Sequence, residues 1–305
     1  MLVRVGFLCV LVLLLVDPAG AQNRADRVAA RILAAATQAD DLVFPSEPSP
    51  VSVTSPRMGL YKPAGSGPFP ALVLTPHCNG LGTISQYPNY SMARWTKEAV
   101  DKGYVVLLID SQGARGVDST CYEPKRAVYH VRGALDVLQA AEHLRALPYV
   151  DKKRIAQVGF SWGAMAGLLA ASRTYRSAFK IKEGFAAFIA IYPACFTFVT
   201  PQGLTYEIVM RDIDRPGLVL MGGEDDEAPA GQCVSKLEAA ERTDSPLERH
   251  VFSGATHCWD CAHLDGYSKT DYRGKRVSYR FDGAVTAETK KRMFEFLDKV
   301  WASHR

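Results

Sequence analysis

A serine lies between two glycines at Val158-Gly-Phe-Ser-Trp-Gly163, and a histidine, His257, follows far downstream in "FSGATHCWD", with a cluster of acids between them. A serine hydroxyl is a poor nucleophile at neutral pH. An adjacent imidazole has to take its proton, and a third group has to hold that imidazole in the right orientation. Gly-x-Ser-x-Gly also arises by chance, so its flanks decide its meaning. The apolar run "RIAQV" reads as a strand before Ser161, and "GAMAGLLAAS" reads as a small-residue helix after it. In that setting a sharp turn lifts the hydroxyl above a sheet, with Gly159 and Gly163 leaving room around it.

The partners of such a serine come in the order acid, then histidine. In "LVLMGGEDDEAP" Asp225 is the expected orienting acid, Asp226 its nearest competitor and Glu224 a weaker one; acids there also suit a helix cap, since "DDEAP" opens a helix. His257 falls just past the last strand, with His263 as the reserve base. His130 and His143 lie in a helix, His250 in a strand, His304 at the terminus and His77 in another loop. Charge developing on a carbonyl oxygen requires preorganised donors. The backbone N–H of Trp162 is one, and the loop His77-Cys-Asn-Gly80 should supply the other, with Cys78 the expected donor to within one residue.

These residues need a scaffold, and the chain spells one. "PALVLTPH", "GYVVLLIDS", "RIAQVGF", "FAAFIAIYP", "GLVLMGG" and "ERHVFSG" are short apolar runs. Between them lie helical stretches at Ser91 to Lys102, at Lys125 to Leu147 with apolar residues every three or four positions, and at "APAGQCVSKLEAAER", with a last helix from Ala287 to Ser303. Continuous apolar strands alternating with helices mean an α/β fold, a mostly parallel sheet covered on both faces, with function at the loops after the strands' carboxyl ends. Cys258 to Asp282 is polar and glycine-containing and reads as a surface excursion.

Residues 1 to 21 read as a secretory signal peptide: Arg4, an apolar core from Val5 to Val16, and a small-residue cleavage site at Ala19-Gly-Ala21. The apolar run is too short for a membrane span of about 20 residues. An exported chain starting near Gln22, periplasmic or secreted, is expected, with no stable membrane anchor. Residues 22 to 60 form an N-terminal extension with a helical pattern (Ala25 to Thr37) and edge strands, and residues 61 to 305 the main domain. With 36 basic against 32 acidic residues the net charge is +4, and its densest basic clusters, "DKKR" and "KK" at Lys290, suit a solvated surface; nothing calls for nucleic acid. Six cysteines remain after the leader: Cys78, Cys121, Cys195, Cys233, Cys258 and Cys261. An even number in an exported chain points to disulfides.

Together, "PALVLTPHCNGLG", "VVLLIDSQGARG", "RIAQVGFSWGAMAG", "GGEDDEAP" and "FSGATHCWD" resemble the dienelactone hydrolase family of the α/β-hydrolase superfamily, from about Pro70 onward. The resemblance implies an eight-stranded sheet, no cofactor or metal, hydrolysis of small ester or lactone substrates, and triad positions at Ser161, Asp225 and His257. The founding members carry a cysteine nucleophile where this chain has Ser161, and His77 stands where a glycine is common. Arg115 in "GARG" is a candidate for binding a substrate carboxylate, against a structural ion pair; His77 is a second, weaker substrate contact. Peptide or amide hydrolysis is the competing enzymatic reading. Outside that class stand thiol redox work by Cys258 and Cys261, whose C-x-x-C spacing follows a last strand rather than a first, and a non-catalytic binding domain. Cysteines on the ends of successive strands suggest bridges Cys78 to Cys121 and Cys195 to Cys233, leaving Cys258 and Cys261 as a local pair.

Overall fold

The computed structural model describes residues 18–83, 88–241, 245–271 and 273–303. Its centre is a seven-stranded sheet in the order β1-β3-β2-β4-β5-β8-β9. The strands are β1 (Gly59–Tyr61), β2 (Phe69–Thr75), β3 (Val105–Leu108), β4 (Val150–Phe160), β5 (Ala187–Ile191), β8 (Gly217–Gly222) and β9 (Leu247–Phe252). Only β1 runs antiparallel, against β3; every other pairing is parallel. The eight strands implied by the resemblance are thus seven among the described residues. Strands β3, β5 and β8 are buried along their whole length, as apolar runs without alternation require when helices cover both faces.

On one face the sheet packs with α1 (Pro18–Ala36), α3 (His130–Ala146), α4 (Trp162–Ala170), α5 (Arg173–Ala178) and α6 (Gly231–Ala240). On the other it packs with α2 (Tyr90–Asp101) and α7 (Gly283–Ala302). Asn89 caps α2 by accepting from the N–H of Met92, and Asp282 caps α7 by accepting from Val285. The expected leader lies mostly outside the described residues; from Pro18 its last residues open α1. Downstream in the extension, Ile32, Ala35, Ala36 and Leu42 join the core of the main sheet. No helix among the described residues is long and apolar enough to cross a membrane.

Two small hairpins escape the sequence pattern. β6 (Thr197–Val199) pairs with β7 (Thr205–Glu207), and β10 (Ser268–Thr270) pairs with β11 (Arg276–Ser278). The segment read as a surface excursion is only partly one. Its first residues, Cys258 to Cys261, are buried, and Trp259 is fully enclosed. Three disulfides cross the fold, Cys78–Cys121, Cys195–Cys233 and Cys258–Cys261.

Candidate active site

Ser161 ends β4 and opens α4 with a backbone φ of 49° and ψ of −110°, a conformation side chains seldom adopt. The turn is closed by contacts that only glycine permits. A Cβ on Gly159 would strike the carbonyl of Gly163, and one on Gly163 would strike the carbonyl of Thr75. The chain is tied down by Ser161 N–H to Ile191 O at 2.9 Å and Gly163 N–H to Pro76 O at 3.1 Å.

His257 arrives from the loop after β9. Its Nε2 lies 2.9 Å from Ser161 Oγ, and its Nδ1 lies 2.7 Å from Asp225 Oδ2. A carboxylate can only accept, so Nδ1 carries the proton and Nε2 is left to accept from the serine hydroxyl. Asp225, in the loop after β8, is itself fixed: its Oδ1 accepts from the N–H of Glu227 at 3.0 Å and of Ala228 at 2.7 Å. The competing acids point elsewhere. Asp226 pairs with Lys275 at 2.8 Å and Glu224 with Arg280 at 2.9 Å, all of them exposed. Burial works against a charged His257, but the carboxylates of Asp225 and Glu227 outweigh it and hold its pKa above the ordinary 6.5.

Glu227 is a member of this neighbourhood that the sequence did not single out. It accepts a hydrogen bond from Tyr279 Oη and pairs with Lys269 at 2.8 Å. Burial pushes its pKa up, but His257 and Lys269 more than offset that and leave it below the usual carboxylate range. Tyr192 was also missed. Its ring lies 4.8 Å from the His257 ring, and its hydroxyl donates to buried Asp260 at 2.7 Å. Asp260 further accepts from Trp95 Nε1 at 2.8 Å and from Ser91, so three donors clamp the loop that carries the histidine.

Ser161 and His257 open into a cavity of about 280 Å³ whose exposed surface is mainly apolar. Cys78 and Trp162 line it. As the first residue of α4, Trp162 has an N–H with no carbonyl one turn earlier to receive it. The Cys78–Cys121 bridge forms part of the wall, and Cys78 O accepts from Thr120 N–H at 2.9 Å.

The two candidates for substrate contact lie elsewhere. Arg115 is bound bidentately to buried Asp136, with both contacts at 2.8 Å, and also donates to Asp40 O. It is the structural ion pair and does not line the cavity. His77 is buried, accepts from Asn89 Nδ2 at 2.9 Å, and is kept neutral by burial, which lowers its pKa to about 4. His263 lies exposed on a short 3₁₀ turn, and His304 is outside the described residues. Among the described residues, potential ligand atoms of His77, Cys258 and Cys261 lie within 4.8 Å of one another. While the two sulfurs are bonded to each other they are not available to a metal, and both are buried, which closes them to a redox partner.

A catalytic-type serine on a glycine-flanked turn above a parallel sheet, with histidine and acid on the next loops, defines an α/β hydrolase. The model of the dienelactone hydrolase family matches residues 58–300, and the chain belongs to that family. This makes it a hydrolase of the carboxylesterase type. Among solved structures it is similar to Thermogutta terrifontis esterase 2 phosphonylated by cyclosarin, at 17% identity and a TM-score of 0.56, covering 79% of this chain and 88% of that one. It is also similar to an α/β hydrolase from a Medee basin deep-sea metagenome library, at 20% identity and a TM-score of 0.53, covering 83% and 97%. A dienelactone hydrolase-like promiscuous phosphotriesterase from metagenomic libraries gives 19% identity, a TM-score of 0.53, and coverage of 77% and 88%. At these identities the structures speak for the fold alone. Dipeptidyl-peptidase 5 of Porphyromonas gingivalis is 24% identical over 220 residues, which is 62% of this chain and 30% of that protein.

Proposed function

We propose that the protein is an exported serine hydrolase that cleaves carboxylic esters or lactones through an acyl-enzyme. The observation that carries this is the hydrogen-bonded chain from Ser161 through His257 to Asp225 at the mouth of an apolar cavity. Ser161 Oγ attacks the acyl carbon while His257 Nε2 takes the hydroxyl proton, and Asp225 stabilises the resulting imidazolium. The N–H groups of Trp162 and Cys78 receive the oxyanion. Collapse of the tetrahedral adduct transfers the proton to the leaving alkoxide and leaves the acyl group on Ser161. Water, deprotonated by the same imidazole, then releases the acid.

Export is supported by three disulfides, which persist in oxidising compartments. On this reading residues 1–21 are the leader, 22–60 an extension packed on the core, and 61–305 the hydrolase domain. The test is labelling of the purified mature chain by a fluorophosphonate, followed by peptide mass mapping. A single adduct on Ser161, lost in Ser161→Ala along with several orders of magnitude in ester turnover, is expected. An unlabelled chain, or a Ser161→Ala variant with most of its activity, would overturn the mechanism. Similarity to a dipeptidyl-peptidase keeps amide hydrolysis as a second reading; turnover of aminoacyl anilides at rates matching the esters would favour it.

A further inference from the structure

The cavity beside Ser161 has a chemical character of its own. One wall is made of rings. His130 lies with its ring centroid 4.6 Å from Phe198 and 5.7 Å from Trp162, and Phe198 stacks on Tyr206 at 5.8 Å. The His130 imidazole is neutral, because burial takes its pKa to about 3, and its Nδ1 lies 3.1 Å from the Tyr206 hydroxyl. Phe198 and Tyr206 come from the β6–β7 hairpin, which stands outside the main sheet, so this wall is separate from the triad scaffold. One ring with an ester group fits a cavity of about 280 Å³ walled in this way.

The charges are equally one-sided. Among the described lining residues there are two carboxylates, Glu123 and Glu227, and no lysine or arginine. Two cations that stand over lining rings, Lys269 over Tyr122 and Arg273 over Phe196, are already engaged. Lys269 pairs with Glu227 at 2.8 Å and Arg273 with Asp271 at 2.6 Å. Arg115, the cation that the sequence offered to a substrate carboxylate, pairs with Asp136. A substrate carboxylate entering this cavity meets no lysine or arginine among the described lining residues and faces Glu227, whose own cation is already committed to it, a combination that folded proteins avoid.

We propose that the cavity selects uncharged esters with a ring-bearing arm, and that Glu227 is the residue that excludes esters carrying a second, ionised carboxylate. This rests on the ester-hydrolase reading above. Three substrates sharing one ring isolate the charge: methyl phenylacetate, its para-carboxamide and its para-carboxylate. Methyl hexanoate tests the ring.

The carboxylate ester should fall at least about 100-fold below the carboxamide in kcat/KM. Glu227→Gln should narrow that gap at least about tenfold, whatever it does to overall turnover. Lys269→Met, which strips Glu227 of its counterion, should widen it and decides the point if Glu227→Gln does not fold. Phe198→Ala should cut the preference for methyl phenylacetate over methyl hexanoate by about three- to tenfold while leaving the carboxamide-to-carboxylate ratio where it was. A carboxylate ester within about threefold of its carboxamide, a gap unmoved by both charge variants, or methyl hexanoate preferred over methyl phenylacetate would overturn the proposal. No turnover of any ester together with no fluorophosphonate labelling would instead sink the hydrolase reading beneath it.

Discussion

At the scale of the residue, adjacent acids in one loop have different duties. Asp225 is buried and accepts from His257 and two backbone N–H groups, whereas the Asp226 carboxylate is exposed and pairs with Lys275. Asp225→Asn should therefore lower turnover by about 10⁴, and Asp226→Asn should stay within a few-fold of the parent. A reversed ranking in steady-state assays would move the orienting acid by one position. The same contact sets the pH profile. The base must be neutral to act, and its folded pKa is raised, so kcat/KM should rise with pH through a midpoint above 6.5. Glu227→Gln removes one of the two carboxylates that raise it, so the midpoint should move down; an unmoved limb would sever Glu227 from the imidazole. The sequence made Ser161, Asp225 and His257 legible because chain order and strand ends constrain them. Glu227 was illegible two residues beyond Asp225, because its role depends on Tyr279 and Lys269 arriving from a hairpin more than forty residues away.

Among the elements, α3 carries an ion cluster that has nothing to do with chemistry. Arg132 on α3 is fully buried and bonds Asp136 at 2.6 Å, and it also donates to the carbonyls of Ala36, which ends α1, and of Ala39 just beyond it. Arg115 reaches the same Asp136. Removing the shared acid takes the carboxylate from Arg115 and leaves Arg132 only the exposed Asp41 at 3.0 Å, so Asp136→Ala should destabilise by about 3–5 kcal/mol, read by urea unfolding, with kcat of the surviving folded enzyme unchanged. A loss under about 1 kcal/mol would mean that Asp41, Gln139 and the backbone carbonyls suffice for both cations. The parallel strands were readable because burial on both faces leaves an unbroken apolar run. β6, β7, β10 and β11 were not, since three residues are too few to display a period of two. Cys258 to Cys261 looked superficial for a related reason. Polar Asp260 suggests solvent until Ser91, Trp95 and Tyr192 are seen to converge on it.

For the whole molecule, the disulfides divide between support and site. Cys195–Cys233 closes 38 residues without itself lining the cavity, and Cys78–Cys121 closes 43 and forms cavity wall. In the chain-entropy account each contributes about 4 kcal/mol. Replacing Cys195 and Cys233 together by alanine should lower Tm by several degrees at constant kcat/KM. Replacing Cys78 and Cys121 should lower both, because it also loosens a loop that lines the cavity and that we propose receives the oxyanion. Calorimetry beside ester kinetics separates the two, and equal effects on activity would dissolve the distinction.

The left-handed backbone at Ser161 sets the working enzyme against its own durability. A side chain held at φ 49° costs on the order of 1–3 kcal/mol, a cost glycine escapes. Ser161→Ala keeps a Cβ and so keeps the cost, whereas Ser161→Gly relieves it. The glycine variant, as inert as the alanine one, should melt at a higher temperature than either alanine or serine, and a lower melting point would show that the turn is unstrained. Selection for heat resistance with no demand for turnover would then favour loss of the nucleophile.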